Sequence, residues 1–274
     1  MEPIIKWVGG KRWLAPRITP IIRKHLKGNY YEPFMGSASV FLALQYTGRS
    51  YLYDSVEALV TTFLLIKRKP MEIWPHLRRL GKTPNNQQTY NEHRSYFNRK
   101  LEHGIYDAEF AAYFLYLNRT GYNGLWRQNS NGEYNVPFGD YSKIRLPSVA
   151  DILALSKCLQ NAAIRCISSP NETLSVIRRA EPGDVIFSDP PYLNTYQGYD
   201  GIFEAGYDYQ SDLVISLWKA TRRGVKVLAT NIDCKETRSW YGAFCKIHTF
   251  KRSQSIAGTT QGRKQWNQIL AVSQ

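Results

Sequence analysis

A short buried strand that runs into two prolines is the feature that most constrains the fold of this 274-residue chain. Residues Val185–Ser188 are apolar or small, and directly after them come Asp189, Pro190, Pro191 and Tyr192. Because proline has no N–H to donate to a sheet, the strand must end here. The sequence therefore places a carboxylate and an aromatic ring just beyond a core strand, where open α/β sheets bind their ligands. A plain proline-rich turn is the alternative interpretation.

The charge balance favours a polyanionic partner. The chain carries 36 Lys and Arg against 22 Asp and Glu, a formal net charge of +14, in an otherwise ordinary composition with 43% hydrophobic residues. Such a charge favours nucleic acid or an acidic membrane surface. The sequence shows no signal peptide, no apolar run long enough to span a bilayer, and no zinc-ligand spacing among its four cysteines. We therefore expect a soluble cytoplasmic protein without a metal.

A turn of small residues follows an early predicted strand. The segment from Tyr30 to Leu42 has the pattern of a strand, a turn containing Gly36, and a helix that continues to about Tyr46. A second predicted strand, Ser50–Asp54, ends in an acid 18 residues after Gly36. An acid at about this distance commonly hydrogen-bonds ribose hydroxyls, so the pair predicts a nucleotide-like cofactor site. The alternative is a helix cap beside an exposed loop acid.

The first residues of the chain predict a short strand, Ile4 to Val8, that leads into a turn at Gly9-Gly10-Lys11. This turn does not match a P-loop. That pattern needs a glycine five residues before its Gly-Lys pair and a Ser or Thr after the lysine. Ile5 and Arg12 occupy those positions, which argues against a nucleotide triphosphatase.

A β-hairpin is predicted within residues 117–139. Asn131-Gly132 is typical of a two-residue hairpin turn, with arms at Leu125–Asn129 and Glu133–Val136. A two-stranded ribbon fits the major groove of B-DNA, where an arginine can bind guanine with two hydrogen bonds. The side chains suited to reading or wedging between bases are Tyr122, Asn123, Leu125 and Arg127. The alternative is a surface hairpin with a polar face.

The pattern along the chain predicts two parts. Residues 1–56 and 144–274 show the alternation of an α/β catalytic domain, and residues 57–143 form an inserted domain for DNA target recognition. A tyrosine-rich loop with Gly198, Gly201 and Gly206 is expected to be mobile and to lie over the site. The polar segment from Arg252 to Lys264 is suited to contacting phosphates.

Four motifs in this order resemble the Dam family of DNA adenine methylases. They are Lys6–Lys11, Glu32–Phe41, Leu117–Gly139 and Asp189–Tyr192. The resemblance covers nearly the whole chain. It implies a Rossmann-like methyltransferase sheet, mostly parallel with a late antiparallel strand, and an inserted helical and β-hairpin target-recognition domain. It also implies S-adenosylmethionine as cofactor, double-stranded DNA as substrate, N6 of adenine within GATC as target, and a monomer without an obligatory protein partner.

The resemblance also implies roles for individual residues. The catalytic tetrad would be Asp189, Pro190, Pro191 and Tyr192. Residues around the cofactor would be Trp7, Lys11, Phe34, Gly36, Ser39, Asp54 and Asp189, with Asp54 on the ribose. Contacts to DNA would come from Lys6, Arg119, Tyr122, Asn123, Leu125, Arg127, Pro137 and Tyr141.

One departure from the family pattern bears on activity. The cofactor turn of the family has the form Gly-x-Gly, and here Ala38 replaces the second glycine. We expect the added methyl group to be tolerated if φ is negative at this position. The alternative function is a DNA-binding homologue with weakened catalysis. Transfer to cytosine N4, RNA or a glutamine amide is disfavoured by Asp189 and by the hairpin.

Overall fold

One seven-stranded sheet organises the protein, whose computed structural model describes residues 1–192, 207–253 and 265–274. The strands are β1 (Tyr30–Glu32), β2 (Ser50–Asp54), β3 (Ala162–Cys166), β4 (Val185–Ser188), β5 (Lys226–Ile232), β6 (Cys245–Ser253) and β7 (Gln265–Ser273). Their order is β3-β2-β1-β4-β5-β7-β6. The pairs from β3 to β5 are parallel, and β7 runs antiparallel to both β5 and β6. The expected Rossmann-like sheet with one late antiparallel strand is confirmed.

The strand order locates a ligand crevice. The chain leaves β1 towards β2 on one side, and the next strand on the other side of β1 is β4. In open α/β sheets the crevice forms at this reversal, beyond the carboxyl ends of the two strands. The turn that begins at Pro33 follows β1, and Asp189 follows β4. Sheet topology therefore brings the two motifs together.

Helices cover both faces of the sheet. They are α1 (Ala15–His25), α2 (Ser39–Leu44), α3 (Glu57–Arg68), α4 (Pro70–Leu80), α5 (Gln87–Glu102), α6 (Ala108–Thr120), α7 (Val149–Leu159), α8 (Pro170–Arg178), α9 (Tyr207–Arg222) and α10 (Lys235–Gly242). Buried side chains of α1, α2, α3 and α7 join one core cluster, and those of α8, α9 and α10 join another. Successive residues of β4 alternate between these clusters, as expected for a strand covered on both faces.

Helix α6 is the centre of the inserted segment. Eleven of its thirteen residues are buried, the pattern of a helix surrounded by protein on all sides. The side chain of Asp107 caps its first turn by accepting the N–H of Phe110 at 2.8 Å. Its buried side chains belong to the same core cluster as those of α1 and α3. The inserted segment thus shares a core with the sheet, and the predicted boundaries at residues 57 and 143 stay a prediction.

The strand predicted at residues 4–8 is wrong. The backbone N–H of Lys6 donates to Asn118 Oδ1, and Asn118 Nδ2 donates to the carbonyl of Lys6, both at 2.8 Å. The guanidinium of Arg119 binds the carbonyl of Ile4. Because side chains of α6 satisfy these backbone groups, the segment does not pair with the sheet. It is fastened to the inserted segment instead.

The two-residue hairpin turn predicted at Asn131-Gly132 is also wrong. Residues 127–129 do face residues 133–135, but the N–H of Gly132 donates to the carbonyl of Asn129, and Gly132 has a φ of +77°. This is a three-residue loop with a glycine in the left-handed region. Asn129 Oδ1 accepts the N–H groups of Asn131 and Glu133 at 3.0 Å, which stabilises the longer loop.

Some predicted features lie outside the described residues, namely the loop with Gly198, Gly201 and Gly206 and residues 254–264 of the polar segment. Across the parts of the chain that are described, every helix is too short or too polar to cross a membrane.

Candidate active site

The first wall of the crevice joins the ends of β1 and β2. Asp54, the last residue of β2, accepts the N–H of Gly36 at Oδ2 (2.8 Å) and the N–H of Val56 at Oδ1 (3.0 Å). Burial raises the pKa of Asp54 to about 6, although these backbone N–H groups favour its charged form. Asp54 thus keeps the glycine turn in place and remains half-buried at the crevice.

Gly36 is required at this turn for two reasons. Its φ is +47°, and a Cβ atom here would lie 2.7 Å from Cδ1 of Trp7. The Trp7 indole therefore packs directly on the glycine backbone. Phe34, two residues earlier, is half-buried against the second core cluster.

We expect Gly36→Ala to destabilise the protein more than Gly104→Ala. Gly104 has a similar φ of +61°, but a Cβ atom there meets nothing within 4 Å. The control should cost about 1–2 kcal/mol for left-handed backbone alone. Gly36→Ala should cost about 1 kcal/mol more because Trp7 must move. Chemical denaturation of both variants measures the difference, and equal losses would contradict the packing role of Trp7.

Lys11 connects the N-terminal loop to the end of β4. Its backbone N–H donates to Oγ of Ser39 at 3.1 Å. Its ammonium group binds Oδ2 of Asp189 at 2.7 Å and the carbonyl of Gly9 at 2.6 Å. The lysine is 2% exposed, so this is a buried ion pair that also lies 5.1 Å from the ring centre of Tyr192. Removal of the Asp189 charge would leave the buried ammonium without this counter-charge.

The segment Asp189–Tyr192 is held by side chains from three other elements. Thr230 on β5 donates its hydroxyl to Oδ1 of Asp189 at 2.5 Å. Gln210 on α9 donates to the carbonyl of Pro191 at 2.6 Å. The hydroxyl of Tyr192 donates to Oε1 of Gln268 on β7 at 3.2 Å. The backbone of this segment and the side chains of Asp189 and Tyr192 are thereby fixed relative to the sheet.

Sequence reasoning missed these supporting residues and one buried acid. Glu32, the last residue of β1, is 2% exposed and accepts the hydroxyl of Tyr30 at 3.1 Å. Burial holds its pKa well above the ordinary carboxyl range, and the charges of Asp189 and Asp54 act in the same direction. The position of an acid at the end of a buried strand was the available signal for Glu32. Thr230, Gln210 and Gln268 gave no comparable signal.

Ala38 does not have the negative φ under which the added methyl group was expected to be tolerated. Its φ is +53° and its ψ is +31°, so it occupies the left-handed region that costs a non-glycine residue about 1–2 kcal/mol. The residue is completely buried, and its N–H binds the carbonyl of Met35 at 2.6 Å. Burial of one methyl group offsets about 0.8 kcal/mol of this strain. The turn therefore forms in spite of the substitution.

A second group of predicted residues lies where the N-terminal loop meets the region after α6. The ammonium of Lys6 is 4.8 Å from the ring centre of Tyr141. The hydroxyl of Tyr141 accepts the N–H of Asn123 at 2.6 Å, and the N–H of Tyr122 binds the carbonyl of Pro137 at 2.9 Å. These five residues, called the recognition patch here, are thus linked by direct contacts and by the short 3₁₀ turn Tyr122–Gly124.

The remaining predicted DNA contacts are placed differently. Arg127 lies on the hairpin and binds Asn135 through Nε to the side-chain oxygen (2.6 Å) and through a terminal nitrogen to the carbonyl (2.9 Å). Leu125, at the start of the hairpin, is half-buried against the first core cluster. Arg119 is also half-buried, and it binds the carbonyl of Ile4. Burial and the charge of Arg145 lower its pKa. In this structure Arg119 stabilises the N-terminal loop.

The N-terminal loop joins the two groups. Residue 6 contacts Tyr141 in the recognition patch, residue 7 packs on the glycine turn, and residue 11 binds the carboxylate of Asp189. Gly124 fits closely against this loop, since a Cβ atom there would lie 2.4 Å from Cβ of Lys6. Six consecutive residues of the N-terminal loop therefore connect the recognition patch with the crevice.

Comparison with known proteins gives a consistent result. A family model described as D12 class N6 adenine-specific DNA methyltransferase matches residues 7–256. The retron Ec67 DNA adenine methylase of Escherichia coli is 34% identical, covering 100% of this chain and 92% of the relative. The DNA adenine methylases of Escherichia coli K12 and Vibrio cholerae serotype O1 are 32% and 33% identical, each covering 98% of this chain and 94% of the relative.

Solved structures with a similar backbone fold include two methyltransferases. The rRNA methyltransferase aviRa from Streptomyces viridochromogenes is 14% identical, with a TM-score of 0.40 over 95% of this chain and 84% of that one. A precorrin-6y C5,15-methyltransferase from Geobacter metallireducens is 8% identical, with a TM-score of 0.35 over 100% of both chains.

The family model, the full-length relatives and the motifs gathered at one sheet edge agree, and the resemblance noted in the sequence is confirmed. The chain is a methyltransferase that belongs to the D12 class of N6 adenine-specific DNA methyltransferases.

Proposed function

We propose that this protein transfers a methyl group from S-adenosylmethionine to N6 of an adenine that has been flipped out of duplex DNA, within the sequence GATC. The observation that carries this proposal is the position of Asp189. Its carboxylate lies beyond the carboxyl end of β4, at the reversal of the strand order, and is oriented by Lys11 and Thr230. A rigid acceptor at this place suits an amino group as substrate.

The residues of the crevice fit S-adenosylmethionine. The half-buried carboxylate of Asp54 suits ribose hydroxyls, and Trp7 and Phe34 supply aromatic surface near the glycine turn. The carboxylate of Asp189 supplies negative charge for a cationic donor. When bound, S-adenosylmethionine would supply its sulfonium methyl group: the bond from sulfur to the methyl carbon breaks as the bond to N6 forms, the donor leaves as the neutral thioether, and the cationic N6 then releases one proton to solvent.

The chain's own residues address the poor reactivity of N6, whose lone pair is delocalised into the adenine ring. Asp189 and the carbonyl of Pro190 each accept an N–H of the amino group. These two bonds favour tetrahedral geometry and stabilise the positive charge that develops on nitrogen. Thr230 and Lys11 keep the carboxylate aligned, and alignment is decisive in a direct transfer.

Base flipping explains the aromatic member of the tetrad. Extrusion of a base from a duplex costs roughly a few kcal/mol. Stacking of the extruded adenine on Tyr192, and insertion of Tyr122 into the space that it leaves, would offset part of this cost. The bond from Tyr192 to Gln268 supports the proposal because it fixes the ring before the base arrives.

Methylation of unmodified duplex DNA tests the function directly. Every methylated base should be mapped after incubation with purified protein and S-adenosylmethionine. We expect N6-methyladenine within GATC and, with GATC-free DNA as the matched control, a far lower yield. Methylation of adenines without regard to sequence would contradict the GATC target, and methylated cytosine would contradict the reaction.

The affinity for S-adenosylmethionine should depend on pH through Asp54. The raised pKa of about 6 means that the carboxylate gains a proton as the pH falls through 6, and the protonated acid is a weaker acceptor for ribose hydroxyls. The affinity should therefore fall as the pH is lowered from 7 to 5, by up to about tenfold per unit. Calorimetric titration measures it. Asp54→Asn should bind S-adenosylmethionine weakly at every pH. If the affinity of the wild type does not change between pH 5 and 7, Asp54 does not bind the ribose as assigned.

A second candidate function is DNA binding with weakened catalysis, which is favoured by the strained backbone of Ala38. Its test is a titration of the wild-type protein with S-adenosylmethionine. Measurable binding together with methyl transfer excludes this candidate, whereas DNA binding without cofactor binding would favour it. Ala38→Gly should then restore cofactor binding.

A further inference from the structure

Two consecutive residues of β5, Thr230 and Asn231, hold the tetrad from opposite faces of the sheet. Strand β4 pairs in parallel with β5 up to Ser188 beside Ala229, so Thr230 is the next neighbour in register for Asp189. Successive side chains of a strand point to opposite faces. Thr230 therefore faces the side on which Lys11 lies, and Asn231 faces the side covered by α9.

The contacts follow this division. Thr230 is 1% exposed and donates to Asp189. Asn231 is completely buried and donates through Nδ2 to Oε1 of Gln210 at 3.0 Å, and Gln210 in turn donates to the carbonyl of Pro191 at 2.6 Å. The orientation of the Asn231 amide is fixed because its Oδ1 accepts the N–H of Ile232 at 2.8 Å.

We propose that Thr230 and the relay Asn231–Gln210 are positioning residues that aim the two acceptors of the tetrad at the amino group of the substrate. One arm fixes the Asp189 carboxylate, and the other fixes the carbonyl of Pro191, which belongs to the Pro191–Tyr192 peptide. The Pro190 carbonyl lies between these two fixed points, so its direction is set by both. This inference rests on the proposed acceptor roles of Asp189 and Pro190.

Methyl transfer requires that both acceptors point at the amino group with precision. Reacting groups must be held within about 0.5 Å of the productive geometry by side chains that are themselves locked. A tetrad with two prolines has a stiff backbone, but stiffness does not select the direction in which its carbonyl and carboxylate point. The hydroxyl of Thr230 and the amides of Gln210 and Asn231 fix these directions. Their loss should therefore raise the energy of the transition state more than it weakens the binding of substrate.

The test compares Thr230→Val, Thr230→Ser and Gln210→Leu in single-turnover methylation of a GATC duplex. Thr230→Val and Gln210→Leu should each lower the rate of transfer by about 10- to 100-fold. The dissociation constants for DNA and S-adenosylmethionine should change by less than about threefold. Thr230→Ser restores the hydroxyl and should restore the rate to within about threefold of the wild type.

A matched control separates positioning from stability. Thr62→Val removes another completely buried hydroxyl, which donates to the carbonyl of Ala58 within α3 at 2.7 Å. Its rate of transfer should equal that of the wild type, whereas its thermal midpoint should fall by as much as that of Thr230→Val.

The outcomes distinguish two failures. A wild-type protein without N6-adenine transfer would overturn the proposed function. An active wild type, with Asp189→Asn inactive but Thr230→Val and Gln210→Leu as fast as the wild type, would overturn the positioning role and leave the function intact. A parallel loss of rate and of both affinities in these variants would also overturn it.

Discussion

Asp189→Ala is expected to lower the rate of methyl transfer by about 10²- to 10³-fold while leaving DNA binding nearly unchanged, because the substituted side chain no longer stabilises the charge that develops on N6. Single-turnover methylation measures the rate, and a gel-shift titration with a GATC duplex measures DNA affinity. The recognition patch is linked to the tetrad through Lys11 alone among the contacts described above, so its own geometry should survive.

The alanine variant has one complication that a second variant resolves. Removal of the carboxylate leaves the ammonium of Lys11, 2% exposed, without its counter-charge, which typically costs 3–5 kcal/mol. Asp189→Asn keeps the size of the side chain and one oxygen that can accept from Thr230 or Lys11. Asp189→Asn should therefore be more stable than Asp189→Ala, but its rate of methyl transfer should remain far below that of the wild type. A near-normal rate in a folded Asp189→Asn protein would contradict the mechanism.

Arg127→Ala is expected to relax the choice of base at one guanine of the target, at a cost of about 1–3 kcal/mol in discrimination, or roughly 5- to 150-fold. The guanidinium is oriented along the hairpin by its two bonds to Asn135, and a planar fork of donors is the group that pairs with the two acceptors of guanine. Methylation rates on duplexes with each base substituted in turn measure the discrimination.

Arg127→Lys is the matched control for charge. It keeps the positive charge but loses the fork, and the two side chains are not equivalent at a site that requires paired hydrogen bonds. We expect this variant to lose base discrimination as Arg127→Ala does, yet to keep the salt dependence of the wild type. If both variants retain the wild-type preference at every position, the hairpin does not read that base through Arg127.

The sequence predicted much of the fold and most of the candidate site because its signals are local. Prolines after β4, a glycine turn after β1 and an acid at the end of β2 each act within a few residues, and the structure joins them by the contacts of Lys11 and Asp54. The strand prediction failed because residues far away in the sequence bind the backbone of the predicted strand. Residues 4–8 have an apolar strand pattern, but Asn118 and Arg119 satisfy their backbone groups.

Ala38 shows a different limit, which arises within a motif. The sequence revealed the missing glycine, but the sign of φ depends on how the turn closes between Met35 and the start of α2, and the structure places it at +53°. The length of the hairpin loop likewise depends on hydrogen bonds to the side chain of Asn129, and the Asn-Gly pair alone does not determine it. In both places the decisive hydrogen bond joins residues within the motif, but the residue types alone did not specify it.

The sequence by itself determined the class of sheet and the order of the motifs, because strand endings, glycine turns and motif order depend on consecutive residues. Only the tertiary structure decided how the tetrad is held. Thr230, Gln210 and Gln268 come from β5, α9 and β7, which sheet pairing and helix packing bring to Asp189, Pro191 and Tyr192. Hydrogen bonds between residues so far apart in the chain leave no spacing pattern, and they form only after the core has folded.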